Sequence, residues 1–98
     1  MNIQSMMKQA QKLQQDMMKE KQQIDDTVFT GKSSIVEVKV KGNKEIISVK
    51  INADQIEHDE IEMLEDMIMV SINDAMKQID KMTEEKMGKY TQGMPGLF

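Results

Sequence analysis

Lys8, Lys12, Lys19 and Lys21 stud the first two dozen residues, and Lys77 and Lys81 recur toward the other end. Ammonium groups repeated along helices suit one kind of chemistry: pairing with phosphates and other regularly spaced anions. Groups suited to catalysis are scarcer. His58 is the only histidine, and Asp54 and Asp59 beside it make an acidic cluster. One histidine among scattered carboxylates lacks the convergent spacing of a metal site, so it is read as solvated. Ser33 and Ser34 have no base nearby in sequence and no nucleophile-elbow context. Gly31-Lys32-Ser33 echoes the end of a phosphate-binding loop, but Asp26 stands where that motif needs its first glycine. No catalytic residue, metal ligand, cofactor or small-molecule substrate is expected, and the chain is not expected to be an enzyme.

The lysines need elements to hold them. Ile3, Ala10, Met17 and Ile24 recur every seven residues, with Met6 and Leu13 between them. That spacing predicts a helix with an a/d seam over about three heptads, weakened by Glu20 at a d position. On such a helix Lys8, Lys12 and Lys19 lie within roughly 40° of one another, on the side away from the seam. The bland interpretation is a solvated face; the sharper one is a stripe that faces phosphate.

A three-stranded meander is predicted next. Thr27–Thr30 reads as a short strand ending before Gly31. Residues 35–41 alternate, with Val36, Val38 and Val40 on one face; residues 44–51 place Ile47, Val49 and Ile51 likewise. Gly42-Asn43 between them signals a two-residue hairpin, which sets Val38 opposite Ile47 and Val36 opposite Val49. The other face carries Glu37, Lys39 and Lys50 and is read as solvated.

The last element is a long helix, with Asp59 as its expected N-cap and Glu62 completing a capping box. Ile61, Leu64, Ile68, Ile72, Ala75, Ile79 and Met82 form one stripe. Lys86 and Lys89 are expected to close the helix near Gly88. Met63, Met67 and Val70 fall on nearly the opposite face, and a helix apolar on two sides is buried on two sides. One side covers the meander. A second copy of the chain is the simplest cover for the other, so these three are the expected dimer interface. Lys77 and Lys81 continue the same azimuth.

Composition agrees with helix-to-helix contact. The 98 residues include 12 Met, 2 Phe, 1 Tyr and no Trp, and methionine adapts to irregular interfaces. No cysteine is present, which removes disulfides and thiolate sites. The most apolar window is broken by Glu65 and Asp66, so no membrane span is expected, and the expected location is cytoplasmic. Net charge is −4, yet all of it comes from residues 52–75, which hold acids and no lysine. Both ends are mildly basic.

The stretches "MMKQAQKLQQDM", "FTGKS" and "IEMLEDMIMVSINDAMKQIDKMTEEKMGKYTQGMPG", in this order and spacing, resemble the YbaB/EbfC family of bacterial nucleoid-associated proteins over nearly the whole chain. The resemblance implies an α+β fold, an α-β-β-β-α protomer with an antiparallel meander between two long helices, and a tweezer-like homodimer. It implies binding to double-stranded DNA and a place in the nucleoid, with an influence on gene expression. One domain over residues 1–90 and a flexible tail over 91–98 are expected. The chain lacks the family's frequent glycine-rich leader, and it has no arginine. Arginine forks onto guanine edges and enters narrow minor grooves, so an all-lysine protein should read little sequence. The alternative is a non-enzymatic module that clasps another protein with its Met-rich helices.

Overall fold

The structure, a computed structural model, describes residues 2–91. Helix α1 spans Ile3–Asp26, strands β1, β2 and β3 span Val28–Ser33, Val36–Lys41 and Ile46–Ile51, and helix α2 spans Ile61–Thr91. The strands form one antiparallel sheet in the order β1-β2-β3. The expected α-β-β-β-α layout is present. The expected tail lies outside the described residues apart from Thr91, which closes α2.

The alternation in β2 decides the core. Val36, Val38 and Val40 are fully buried, with Phe29 from β1, under Ala75 and Ile79 of α2. Leu64, Ile68, Ile72 and Met82 pack at the margin of that cluster, so most of the predicted stripe does cover the sheet. Ile61, at its head, stays exposed. Two side contacts orient the helix. Asp74 accepts from the Lys32 backbone N–H at 3.3 Å, and Gln78 donates to the Thr30 carbonyl at 2.8 Å, so that flank faces β1. Asp80 pairs with Lys44 at 3.4 Å, so the other flank faces the β2–β3 turn.

The hairpin differs from the expected two-residue loop. The Lys44 N–H donates to the Lys41 carbonyl at 2.7 Å, the Lys41 N–H donates to Glu45 at 2.9 Å, and Lys44 takes a left-handed φ of 72°. That is a three-residue loop closed by a left-handed residue. A bulge follows, because Val40 pairs with Ile46 while Lys39 pairs with Ser48. Each irregularity shifts the register by one residue. Together they shift it by two, so Val38 meets Val49 and Val36 meets Ile51. The expected partners were wrong, but the expected face of Val49 and Ile51 is right, since a slip of two preserves side-chain direction; Ile46, not Ile47, meets Val40.

Three further expectations are corrected. β1 runs through Gly31 to Ser33 instead of stopping at Thr30. A 3₁₀ turn over His58–Glu60 leads into α2, its preceding residue Glu57 makes no side-chain cap, and Asp59 lies inside the turn. At the far end the helix passes through Gly88 to Thr91, with Lys89 in its last turn as expected but Lys86 short of it.

The α1 seam closes for only part of its length. Ile24 is buried with Met87 and Tyr90, and Met17 and Met82 pack against them. The two helices run antiparallel and offset, with Glu20 meeting Lys89 while Ile24 meets Met87. Ile3, Met6 and Leu13 therefore extend past the end of α2 and are exposed. The outcome is a long molecule of 71 × 20 × 14 Å.

Candidate nucleic-acid interface

Asn2 starts α1, its side chain accepting from the Gln4 N–H at 2.9 Å in the usual manner of an N-cap. From there the helix carries Lys8, Lys12 and Lys19 into solvent. All three are exposed, and none forms a salt bridge with another described residue. Their azimuth is about 150° from the Met17–Ile24 contact, so Lys8 and Lys12 point away from it, while Lys19 lines a shallow depression with Glu20, Lys89 and Tyr90. Lys21 differs: it lies nearer the seam and pairs with Asp25 at 3.4 Å. Such an exposed i,i+4 pair is worth about 0.3–0.5 kcal/mol and yields readily to a phosphate.

Glu20, the flaw in the seam, is the point where the helices lock. Its Oε1 accepts from Lys89 Nζ at 3.0 Å, and that ammonium sits 5.1 Å from the Tyr90 ring centroid. The Glu20 hydrogen bond raises the Lys89 pKa above its ordinary value, outweighing desolvation. Lys89 is thus committed to holding α1 on α2. Glu20 Oε2 is buried without a hydrogen-bond partner among the described residues.

Lys77 and Lys81 are exposed on the β1 flank of α2. Lys77 lies in a depression with Lys32, Val70 and Asp74, and Lys81 in one with Phe29, Gln78 and Glu85. The structure does not bring them to the α1 lysines. With about 1.5 Å per residue along each helix, and the helices registered at Glu20–Lys89, Lys77 and Lys8 are roughly 35 Å apart along the molecule. The acidic residues from Asp54 to Asp66 are exposed at the opposite end from Lys8, in the segment leading into α2 and in its first two turns.

Met63 and Val70 are exposed on the β1 flank, while Met67 is partly buried against the sheet core. A second apolar patch escaped sequence reading. Val49 and Ile51 share the inner face with Val38 and Val36, but α2 covers β1 and β2 and leaves them open. Their alternation was legible; that the helix stops short of β3 was not. The outer face of the sheet, expected to carry Glu37, Lys39 and Lys50, also carries Lys32 and Lys41.

Among the described residues no group of three His, Asp or Glu side chains converges to hold a metal, and no helix is long and apolar enough to cross a membrane. His58 is exposed in the 3₁₀ turn. His58→Ala is expected to change stability by no more than about 0.5 kcal/mol and to leave binding unaltered with or without a chelator. Thermal unfolding and a binding titration of the variant check this.

An antiparallel meander under one long helix, with a second helix projecting from it and carrying exposed lysines, defines a two-helix α+β protein. The chain belongs to the YbaB/EbfC DNA-binding family, whose model matches residues 1–94. It is 44% identical over 99 residues to a nucleoid-associated protein of Ligilactobacillus salivarius, covering 99% of this chain and 95% of that one. It is 47% identical over 97 residues to a nucleoid-associated protein of Lactococcus lactis subsp. cremoris, covering 97% and 98%. A crystal structure of the uncharacterized protein HP0035 from Helicobacter pylori shares the fold, with a TM-score of 0.67 at 20% identity over 98% of this chain and 99% of that one.

Proposed function

We propose that the protein is a non-enzymatic homodimer that binds double-stranded DNA through the phosphate backbone, with little sequence preference. Lys8, Lys12, Lys19 and Lys21 make the main contacts, and Lys77 and Lys81 assist. The dimer interface takes in Met63, Met67 and Val70 together with the open inner face of β3. The site of action is the nucleoid within the cytoplasm, where such binding bears on chromosome organisation and gene expression.

One observation carries the DNA reading: the free half of α1 presents Lys8 and Lys12, without an ion pair among the described residues, at the end of the molecule farthest from the acidic segment. A duplex there gains counterion release without facing the eight acids of residues 52–75. Family membership points the same way. If four to eight phosphates are neutralised per dimer, log K should fall against log salt with a slope of roughly −4 to −7.

The test is a gel-shift titration at several salt concentrations on unrelated duplexes. Changing Lys8, Lys12 and Lys19 together to Gln should make the slope shallower by roughly 3 or more and weaken all sequences about equally. Binding that ignores salt, or a slope unmoved by the triple change, points instead to a protein partner clasped by the exposed Ile3, Met6 and Leu13.

A further inference from the structure

The outer face of the sheet is polar and strongly basic, in a chain whose net charge is −4. Pairing arranges it in rows across the strands. Lys32, Glu37 and Lys50 form the first row, Thr30, Lys39 and Ser48 the second, and Val28, Lys41 and Glu45 the third. Four ammonium groups stand against two carboxylates, Glu37 and Glu45. Glu37 is engaged by Lys32 at 3.8 Å. Lys39, Lys41 and Lys50 have no ion pair among the described residues.

We infer that this face is a second surface for the phosphate backbone of duplex DNA, separate from the helices. The inference rests on the DNA-binding reading above. Charge complementarity calls for an anionic occupant, and the side chains say which kind. Its paired rows hold no aromatic ring and only Val28 as an apolar residue. A protein interface core needs aromatic or aliphatic anchors, and a single strand needs stacking platforms. A duplex backbone needs neither. Lysines on one strand two residues apart, as Lys39 and Lys41 are, stand about 6.8 Å from each other, a repeat that suits successive anions. Hydroxyls at Thr30 and Ser48 flank Lys39 and supply neutral donors of the kind that contact phosphate oxygens. The platform is rigid, since its reverse side is the fully buried row of Val36, Val38 and Val40. Dimerisation through the apolar inner face of β3 leaves the outer face uncovered in both copies.

The experiment compares the wild-type dimer with a variant changing Lys39, Lys41 and Lys50 together to Gln. Duplex binding is titrated across salt, and sedimentation is run in parallel without DNA. The expected result is a slope shallower by roughly 2–3, additive with the loss from the Lys8, Lys12 and Lys19 change. The corresponding triple Arg variant should keep the wild-type slope. If the Gln variant fails to fold, Lys39→Gln alone, losing roughly 0.9 of slope, decides the matter. A wild type without salt dependence overturns the DNA reading itself. A steep wild type with an unchanged sheet variant overturns this inference alone. An unchanged slope with reduced self-association overturns it in favour of the acidic segment of another copy.

Discussion

Gly31→Ala is expected to destabilise the protein by about 3 kcal/mol, which urea denaturation will show as a large fall in midpoint. A Cβ built on Gly31 overlaps the Ser71 carbonyl oxygen and comes within 2.9 Å of the Ala75 nitrogen. Both neighbours are helix backbone, so no rotamer change relieves the clash. Only movement of α2 off β1 does. Ser71 and Ala75 are themselves fully buried, one turn apart, and form the notch that Gly31 enters. Stripping α2 from the sheet would expose the whole core, in a small domain whose total stability is about 5–15 kcal/mol. Gly88→Ala is the control. A Cβ there meets nothing within 4 Å, and a helix interior favours alanine over glycine by up to about 1 kcal/mol. A wild-type midpoint for Gly31→Ala would mean that the close helix–strand docking is not what holds α2 in place.

Gly31 also marks where sequence reading ended. The glycine looked like the stop of a short strand, because glycine weakens strands and marks turns. It sits inside β1 because a helix backbone crosses there, and that contact joins residues 40 positions apart. The same division recurs through the fold. Strand faces were legible, since alternation of Val36, Val38 and Val40 is local. The register was not, since a left-handed Lys44 has no glycine to announce it. The seven-residue repeat correctly indicated a helix over Ile3–Asp26. It did not indicate that only Met17 and Ile24 would find a partner, because the offset between α1 and α2 is set by the Glu20–Lys89 and Ile24–Met87 contacts. For the candidate site, the α1 lysines were visible from their spacing. The basic sheet face was not singled out, because its rows combine residues from three strands whose register had to be known first.

The remaining large effect concerns assembly. Val49→Lys is expected to weaken dimerisation by roughly 100- to 4,000-fold, as it buries an unpaired charge worth about 3–5 kcal/mol if a second copy covers β3. In a single chain Val49 is 47% exposed, so a lysine there reaches water and the protomer should still fold. That separates association from folding. Met67→Lys cannot make the separation, because Met67 also packs against its own sheet core. Val70→Lys is the useful companion. Val70 is exposed on the β1 flank of α2, away from β3. The β3 patch has the stronger claim to the centre of the interface. Ile46, Ile47, Val49 and Ile51 are all exposed on one edge strand, and an open apolar edge is an aggregation hazard unless something covers it. Val70→Lys should therefore cost less than Val49→Lys. Sedimentation across protein concentration measures both, and a Val49→Lys protein that remains dimeric at micromolar concentration removes β3 from the interface. Dissociation should also be felt in DNA binding, because a monomer carries half the lysines and half the phosphate contacts. A Val49→Lys monomer is accordingly expected to bind with about half the salt slope of the dimer, although every lysine of each chain is intact.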